Sequence, residues 1–172
     1  MKHMNNRGFS LLEVLITVLL ITIGLLGMLG MQGRAIQYSI DSVERTHAAT
    51  LANELLEIIR ATPGGILENN SPFLFNSLPA SASGTCLEID QDDLLEDQVG
   101  CWARKARNLL PGADTLGAHF RACISSTPGV CDPDGAALEV RLAWDASGEG
   151  CLDASADELG NTLCTFTFRT QI

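Results

Sequence analysis

The sequence predicts an α+β fold: one long N-terminal helix, its first half transmembrane, whose second half packs on a small antiparallel β-sheet. Three observations carry that prediction. Residues Val14 to Met31 hold no charged side chain. Beyond them apolar residues recur every three or four positions as far as Ile58, the period of a helix with one covered face. After Leu110 the apolar residues alternate with polar ones, the period of half-buried strands. A chain of 172 residues is long enough for an anchor and one core, and short for two cores.

The first element begins in "RGFSLLEVLITVLLITIGLLGMLGMQ", residues 7–32. Its 18 uncharged residues span roughly 27 Å at about 1.5 Å each, close to a hydrocarbon core of about 30 Å. A cleaved secretory signal would have a shorter apolar core followed by a small-x-small site. Here "MQGRAIQYS" follows, with no such site and no break in the helical pattern. Ile36, Ile40, Val43, His47, Leu51, Leu55 and Ile58 continue as an apolar stripe. Asp41 and Arg45 lie four apart on another face, in the order that supports a helix. The stop is "RATPGG", where Pro63 cannot continue the helix and two glycines follow. The spacing therefore predicts one helix from Phe9 to Thr62, roughly 80 Å long.

Residues 64–89, rich in Ser, Pro and Asn around "PFLF", read as loop. A second helix is expected over 92–110, with Leu95, Val99, Trp102, Ala106 and Leu109 on one face, Asp90 as N-cap and "LLPG" as the stop. The alternating sets are Leu116, Ala118, Phe120, Ala122 and Ile124; then Ala136, Leu138, Val140, Leu142 and Trp144; then Phe166 and Phe168. Pro133-Asp134-Gly135 is a turn between the first two. Three or four antiparallel strands with one apolar face would cover the helix stripe.

Composition excludes several functions. A net charge of −10 with no basic run argues against nucleic acid, which needs a clustered basic patch. The histidines are His3, His47 and His119; none adjoins a nucleophile motif, no glycine loop could cradle phosphate, and no cofactor is implied. The acidic stretch with Asp145, Glu149, Asp153, Asp157 and Glu158 lacks the spacing of a calcium loop, so no metal is expected. The chain reads as a non-enzyme without catalytic residues. Basic residues flank the apolar run on both sides, Lys2 and Arg7 before it and Arg34 and Arg45 after it, so they do not orient it. The cysteines do. Cys86, Cys101, Cys123, Cys131, Cys151 and Cys164 all follow the apolar run without a Cys-x-x-Cys pair, which implies disulfides in an oxidising compartment. Six cysteines allow fifteen pairings. Sequential closure, Cys86–Cys101, Cys123–Cys131 and Cys151–Cys164, makes the shortest loops.

One residue resists the anchor reading. Glu13 sits just inside the apolar run, and an ionised group in a bilayer costs roughly 2.5–3.5 kcal/mol at the centre, less near an end. No cation of the chain is placed to pair with it. Cleavage between Gly8 and Phe9 would supply one: a free amine on Phe9, four residues before Glu13. In a bundle of staggered identical helices, the amine of one chain could meet the carboxylate of another. At about 4 Å such a pair is worth ~4 kcal/mol at an effective dielectric of 20, against ~1 in water. Glu13 is then an assembly contact.

The stretch "RGFSLLEVLITVLLITIGLLG" resembles the N terminus of type IV prepilins and type II secretion pseudopilins. Their pattern is a short basic leader ending in Gly, then Phe, then a helix with Glu at the fifth mature position. Gly8, Phe9 and Glu13 fit it, and the leader is "MKHMNNRG". The following "IGLLGMLGMQGRAIQYSIDSVERTHAATLANELLEIIRATP" is similar to the minor pilins called PilV, with looser matches at "LLPG" and "LEVRLAWDASG". The ending "EIIRATP" departs from that family's usual one. Major pilins usually carry a proline late in the membrane segment, whereas here Gly24, Gly27 and Gly30 occur and no proline precedes Pro63.

The resemblance implies a pilin-like fold, a route and a role. Residues 1–8 would be the leader, 9–33 the transmembrane half of the helix, and 34–172 a periplasmic globular domain. A prepilin peptidase would cut after Gly8 and methylate the Phe9 amine. The chain would wait in the inner membrane and then join a pilus fibre as a low-abundance subunit that helps prime assembly near the tip. Implied partners are other minor pilins, the major pilin and a tip adhesin, met through the stripe Ile36 to Ile58 and the neighbouring sheet edge. Two other readings remain open at this point: a type II secretion pseudopilin, and a bitopic periplasmic binding module that does not polymerise.

Overall fold

The computed structural model describes residues 10–62, 64, 66, 71–86, 95–146, 151 and 163–171. It contains a long helix α1 (Leu11–Ala61), a second helix α2 (Leu95–Leu109), a 3-10 turn at Gly117–His119, and strands β1 (Arg121–Thr127), β2 (Val130–Cys131), β3 (Ala137–Asp145) and β4 (Leu163–Gln171). The chain divides into two compact units, one ending at Ser39 and the other running from Ile40 to Ile172. The α+β arrangement of a long helix with a small antiparallel sheet is the one the periodicities predict.

In the first unit the residues from Ser10 to Ile36 are all solvent-exposed, and the large apolar side chains from Leu11 to Met31 are among them. The helix is long and apolar enough to cross a membrane, with a mean hydropathy of 2.5 over its best 18-residue window. Its hydroxyls suit that solvent. Thr17 Oγ1 donates to the Val14 carbonyl and Thr22 Oγ1 to the Leu19 carbonyl, each at 2.8 Å, so neither needs water.

The second unit is built on about the last six turns of α1, from Ile40 to Ala61. Ala48, Leu51, Ala52, Leu55 and Ile59 are buried at steps of three and four. Against them lie Val99, Trp102, Ala103 and Ala106 of α2 and the inner face of the sheet, Leu138, Val140, Leu142 and Trp144. The Trp102 indole N–H donates to the Leu51 carbonyl at 2.9 Å, and Lys105 pairs with Glu54 at 2.6 Å, which fixes α2 along α1. On the outside of α2, Arg107 holds the preceding loop through the Pro79 carbonyl (2.7 Å) and Ser81 (3.2 Å), and pairs with Asp114 (2.9 Å). Phe73 of that loop is fully buried, and Phe75 makes a single antiparallel bridge to Ala122. The expected N-cap Asp90 lies outside the described residues.

The sheet order is β2-β1-β3-β4, antiparallel throughout. β1 and β2 are joined by Pro128-Gly129, with Gly129 at φ +87°, the left-handed conformation a glycine tolerates. Pro133 and Asp134 form the turn between β2 and β3, where the Asp134 N–H donates to Asp132 Oδ1 at 3.0 Å. Gly135 is required there by contact: a Cβ on it would stand 2.3 Å from the Ser125 carbonyl carbon.

Two expectations are corrected. The apolar stripe does not stay covered along its length, since Ile36 (61%), Ile40 (41%) and Val43 (51%) are exposed. The face turned inward above Ala48 carries Asp41 (6%) and Glu44 (8%) instead. Three apolar residues and two carboxylates lie on different faces of the same turns, and periodicity alone favoured the apolar set. The first strand also starts later than alternation suggests. Gly117–His119 form a 3-10 turn after Leu116, with His119 N–H bonded to the Leu116 carbonyl (2.8 Å) and Phe120 N–H to that of Gly117 (3.2 Å). Ala118 is exposed there rather than on an inner strand face. A period of two over three residues does not distinguish a strand from such a turn.

Candidate functional site

The N-terminal end of α1 is built by Ser10. Its carbonyl accepts from the Glu13 and Val14 N–H groups at 3.0 and 3.2 Å, and its hydroxyl oxygen from the Leu12 N–H at 3.3 Å. This closes the first turn and places Glu13 in it. Glu13 is exposed and has no ion pair among the described residues. Its carboxylate is therefore available to another molecule. The predicted cleavage and methylation residues, Gly8 and Phe9, lie outside the described residues.

Elsewhere the structure shows groups that sequence reasoning missed. Asp41 accepts a bond from the Trp144 indole N–H at 3.3 Å, linking α1 to the end of β3 across 103 residues of chain. Glu44 lies beside it. Burial pushes the Glu44 carboxyl above its usual range, and the charges of Asp41 and Asp145 push it further the same way. On the outer face of the sheet, Glu139 is fully buried. Its Oε1 takes a charge-assisted bond from Arg121 Nη2 at 2.7 Å, and its Oε2 takes the Gly129 N–H at 2.8 Å. Arg121 also donates to the Gly129 carbonyl at 2.9 Å, so both groups tie down the β1–β2 hairpin. In the sequence Glu139 is the polar member of an alternating "LEVRL", which reads as a solvent face. Only the hairpin folding over it shows otherwise.

The cysteines pair sequentially in the structure: Cys86 with Cys101, Cys123 with Cys131, and Cys151 with Cys164. The first ties the loop to α2, the second crosses the β1–β2 hairpin, and the third anchors the start of β4. His47 on α1 and His119 in the 3-10 turn are each half-buried. Among the described residues no group of three or more His, Cys, Asp or Glu side chains is arranged to hold a metal.

Comparison with known proteins gives one match. The family described as the prokaryotic N-terminal methylation motif matches residues 3–29, which hold Gly8, Phe9 and Glu13. No curated protein and no solved structure matches the chain. The matched motif marks a structural family rather than a catalytic one, and its residues from Leu11 onward form the exposed apolar start of α1 that fits a membrane anchor before assembly. It supports a type IV pilin-like prepilin, a pilin or a pseudopilin, processed by a prepilin peptidase and destined for a pilus or pseudopilus.

Proposed function

We propose that the chain is a minor pilin of a type IV pilus, a low-abundance subunit that helps prime fibre assembly near the tip and so serves twitching motility and adhesion. The observation that carries this reading is the methylation motif over residues 3–29, with one exposed carboxylate, Glu13, in an otherwise charge-free run. Resemblance of residues 23–63 to PilV-type minor pilins, and the lack of a proline before Pro63, favour a minor subunit over the major one. In this reading residues 1–8 are removed, 9–33 hold the chain in the inner membrane, and 34–172 stand in the periplasm until the subunit enters the fibre. Its partners are other minor pilins, the major pilin and a tip adhesin.

Processing is the direct test. Gly8 suits the cut because a peptidase needs a narrow, extended backbone there, which a side chain would obstruct. Mass spectrometry of the native protein should find a chain that begins at N-methylated Phe9. An intact Met1 start in a strain with active peptidase would overturn the pilin reading.

A further inference from the structure

β4 is the last strand of the sheet, bonded to β3 in unbroken register from Asp145↔Leu163 to Ala137↔Gln171. Among the described residues no strand lies on its other side. A nine-residue edge leaves a row of N–H and C=O groups that another strand can pair with, and natural edges of that length are blunted by proline, a bulge or an outward lysine. "LCTFTFRTQ" has none of these. Its one charge, Arg169, reaches back over β3 instead, where Nη2 donates to the Ser125 and Ser126 carbonyls at 3.2 and 2.7 Å. The cation that could guard the edge is drawn away from it.

The two sides of this edge differ in chemistry. On the inner side Phe166 and Phe168 are only half-buried, so ring surface remains open beside the edge. On the outer side Arg141 of β3 stands next to Thr167 of β4 and directly opposite Arg121 of β1. Like charges opposed on neighbouring strands repel, and Glu139 is engaged by Arg121 and the hairpin. Arg141 itself makes no hydrogen bond or ion pair among the described residues, although it is half-buried. Arg121, Arg141 and Arg169 share this face, with Glu139 among them, in a chain of net charge −10.

We propose that the free edge of β4 receives an extended strand from a different subunit, with side chains that alternate apolar and acidic. Its apolar side chains cover Phe166 and Phe168, and its carboxylates reach over Thr167 to Arg141. An added strand lies two strand spacings from β3, about 9.6 Å, which an arginine and a glutamate span between them when only a threonine intervenes. A second copy of β4 does not fit. It would bring Arg169 and no acid to the same face. That the subunit belongs to the same pilus assembly rests on the function proposed above; the edge chemistry does not.

The test uses the full chain in detergent and hydrogen exchange of the β4 amides, with two synthetic probes. One is a peptide alternating valine with glutamate, the other its valine–lysine counterpart. The glutamate peptide should protect the outward amides of β4 and leave α2 unchanged, while the lysine peptide should bind about tenfold more weakly. Arg141→Gln should remove that preference, and Arg141→Glu should reverse it, each with the three disulfides intact. Equal protection by both peptides, or a preference unaffected by Arg141→Gln, would overturn the proposal. So would β4 amides that are all protected in the chain alone, or protected only as its concentration rises. None of these outcomes depends on where the leader is cut, so a failure here is separable from a failure of the pilin reading.

Discussion

Glu13 concentrates the chemistry of the anchor into one carboxylate. It is exposed, lies in the first turn of α1, and is the only charged side chain between Gly8 and Arg34. Removing it makes the segment more lipophilic, so Glu13→Ala should leave membrane insertion and leader cleavage intact. What should fail is association with partner pilins, read by co-purifying full-length wild type and variant from membranes. Equal recovery of partners would show that the carboxylate serves another step. Glu44 gives a second expectation at this scale. Its folded carboxyl titrates above the ordinary range, from burial first and then from Asp41 and Asp145. The proton is therefore held to higher pH in the folded chain than in the unfolded one. Stability from the protonated form is full below the ordinary carboxylate pKa and is lost as pH rises through the raised value. Glu44→Gln should raise the thermal midpoint at neutral pH, and its advantage should shrink as the pH falls into the ordinary carboxylate range.

At the scale of elements, the β1–β2 hairpin depends on a buried charge. β2 has two residues and the β1 register shifts between Ser125 and Thr127, so strand pairing alone holds little. Glu139 beneath it binds both Arg121 and the Gly129 N–H, and the Cys123–Cys131 disulfide crosses the same turn. Glu139→Ala leaves the Arg121 guanidinium without its carboxylate and the Gly129 N–H without its acceptor, and removing one member of a buried pair costs about 3–5 kcal/mol. A urea midpoint should fall accordingly. Replacing both Glu139 and Arg121 by apolar residues, as Glu139→Leu with Arg121→Met, should recover much of the loss, because no unpaired charge then remains.

For the molecule as a whole, the prediction concerns the fibre. If the chain primes a pilus, deleting it should lower the number of surface pili while the major pilin stays present and processed. Electron microscopy and immunoblotting read the two quantities separately. Complete loss of pili would mark a fibre-building subunit. Impaired export of folded enzymes with pili unaffected would mark a pseudopilin, which shares the matched N-terminal motif.

The anchor and the helices were legible in the sequence because a lipid-facing helix and a core-facing stripe each impose a period that side-chain chemistry must obey. The end of α1 at Ala61 and the inner faces of β3 and α2 belong to the same class, since each follows from local backbone rules or from a single covered face. Glu13 was legible for the opposite reason: it violates the pattern where nothing local explains it. Tertiary structure alone decided the rest. Asp41 and Trp144 stand 103 positions apart, and no window of sequence contains both. Glu139 became a buried ion because a hairpin folds over the outer face, and Ile40 and Val43 became exposed because carboxylates took the inner face of their turns. Burial of a charge depends on which partners the fold brings within reach, and that is a property of three-dimensional contact that periodicity does not encode.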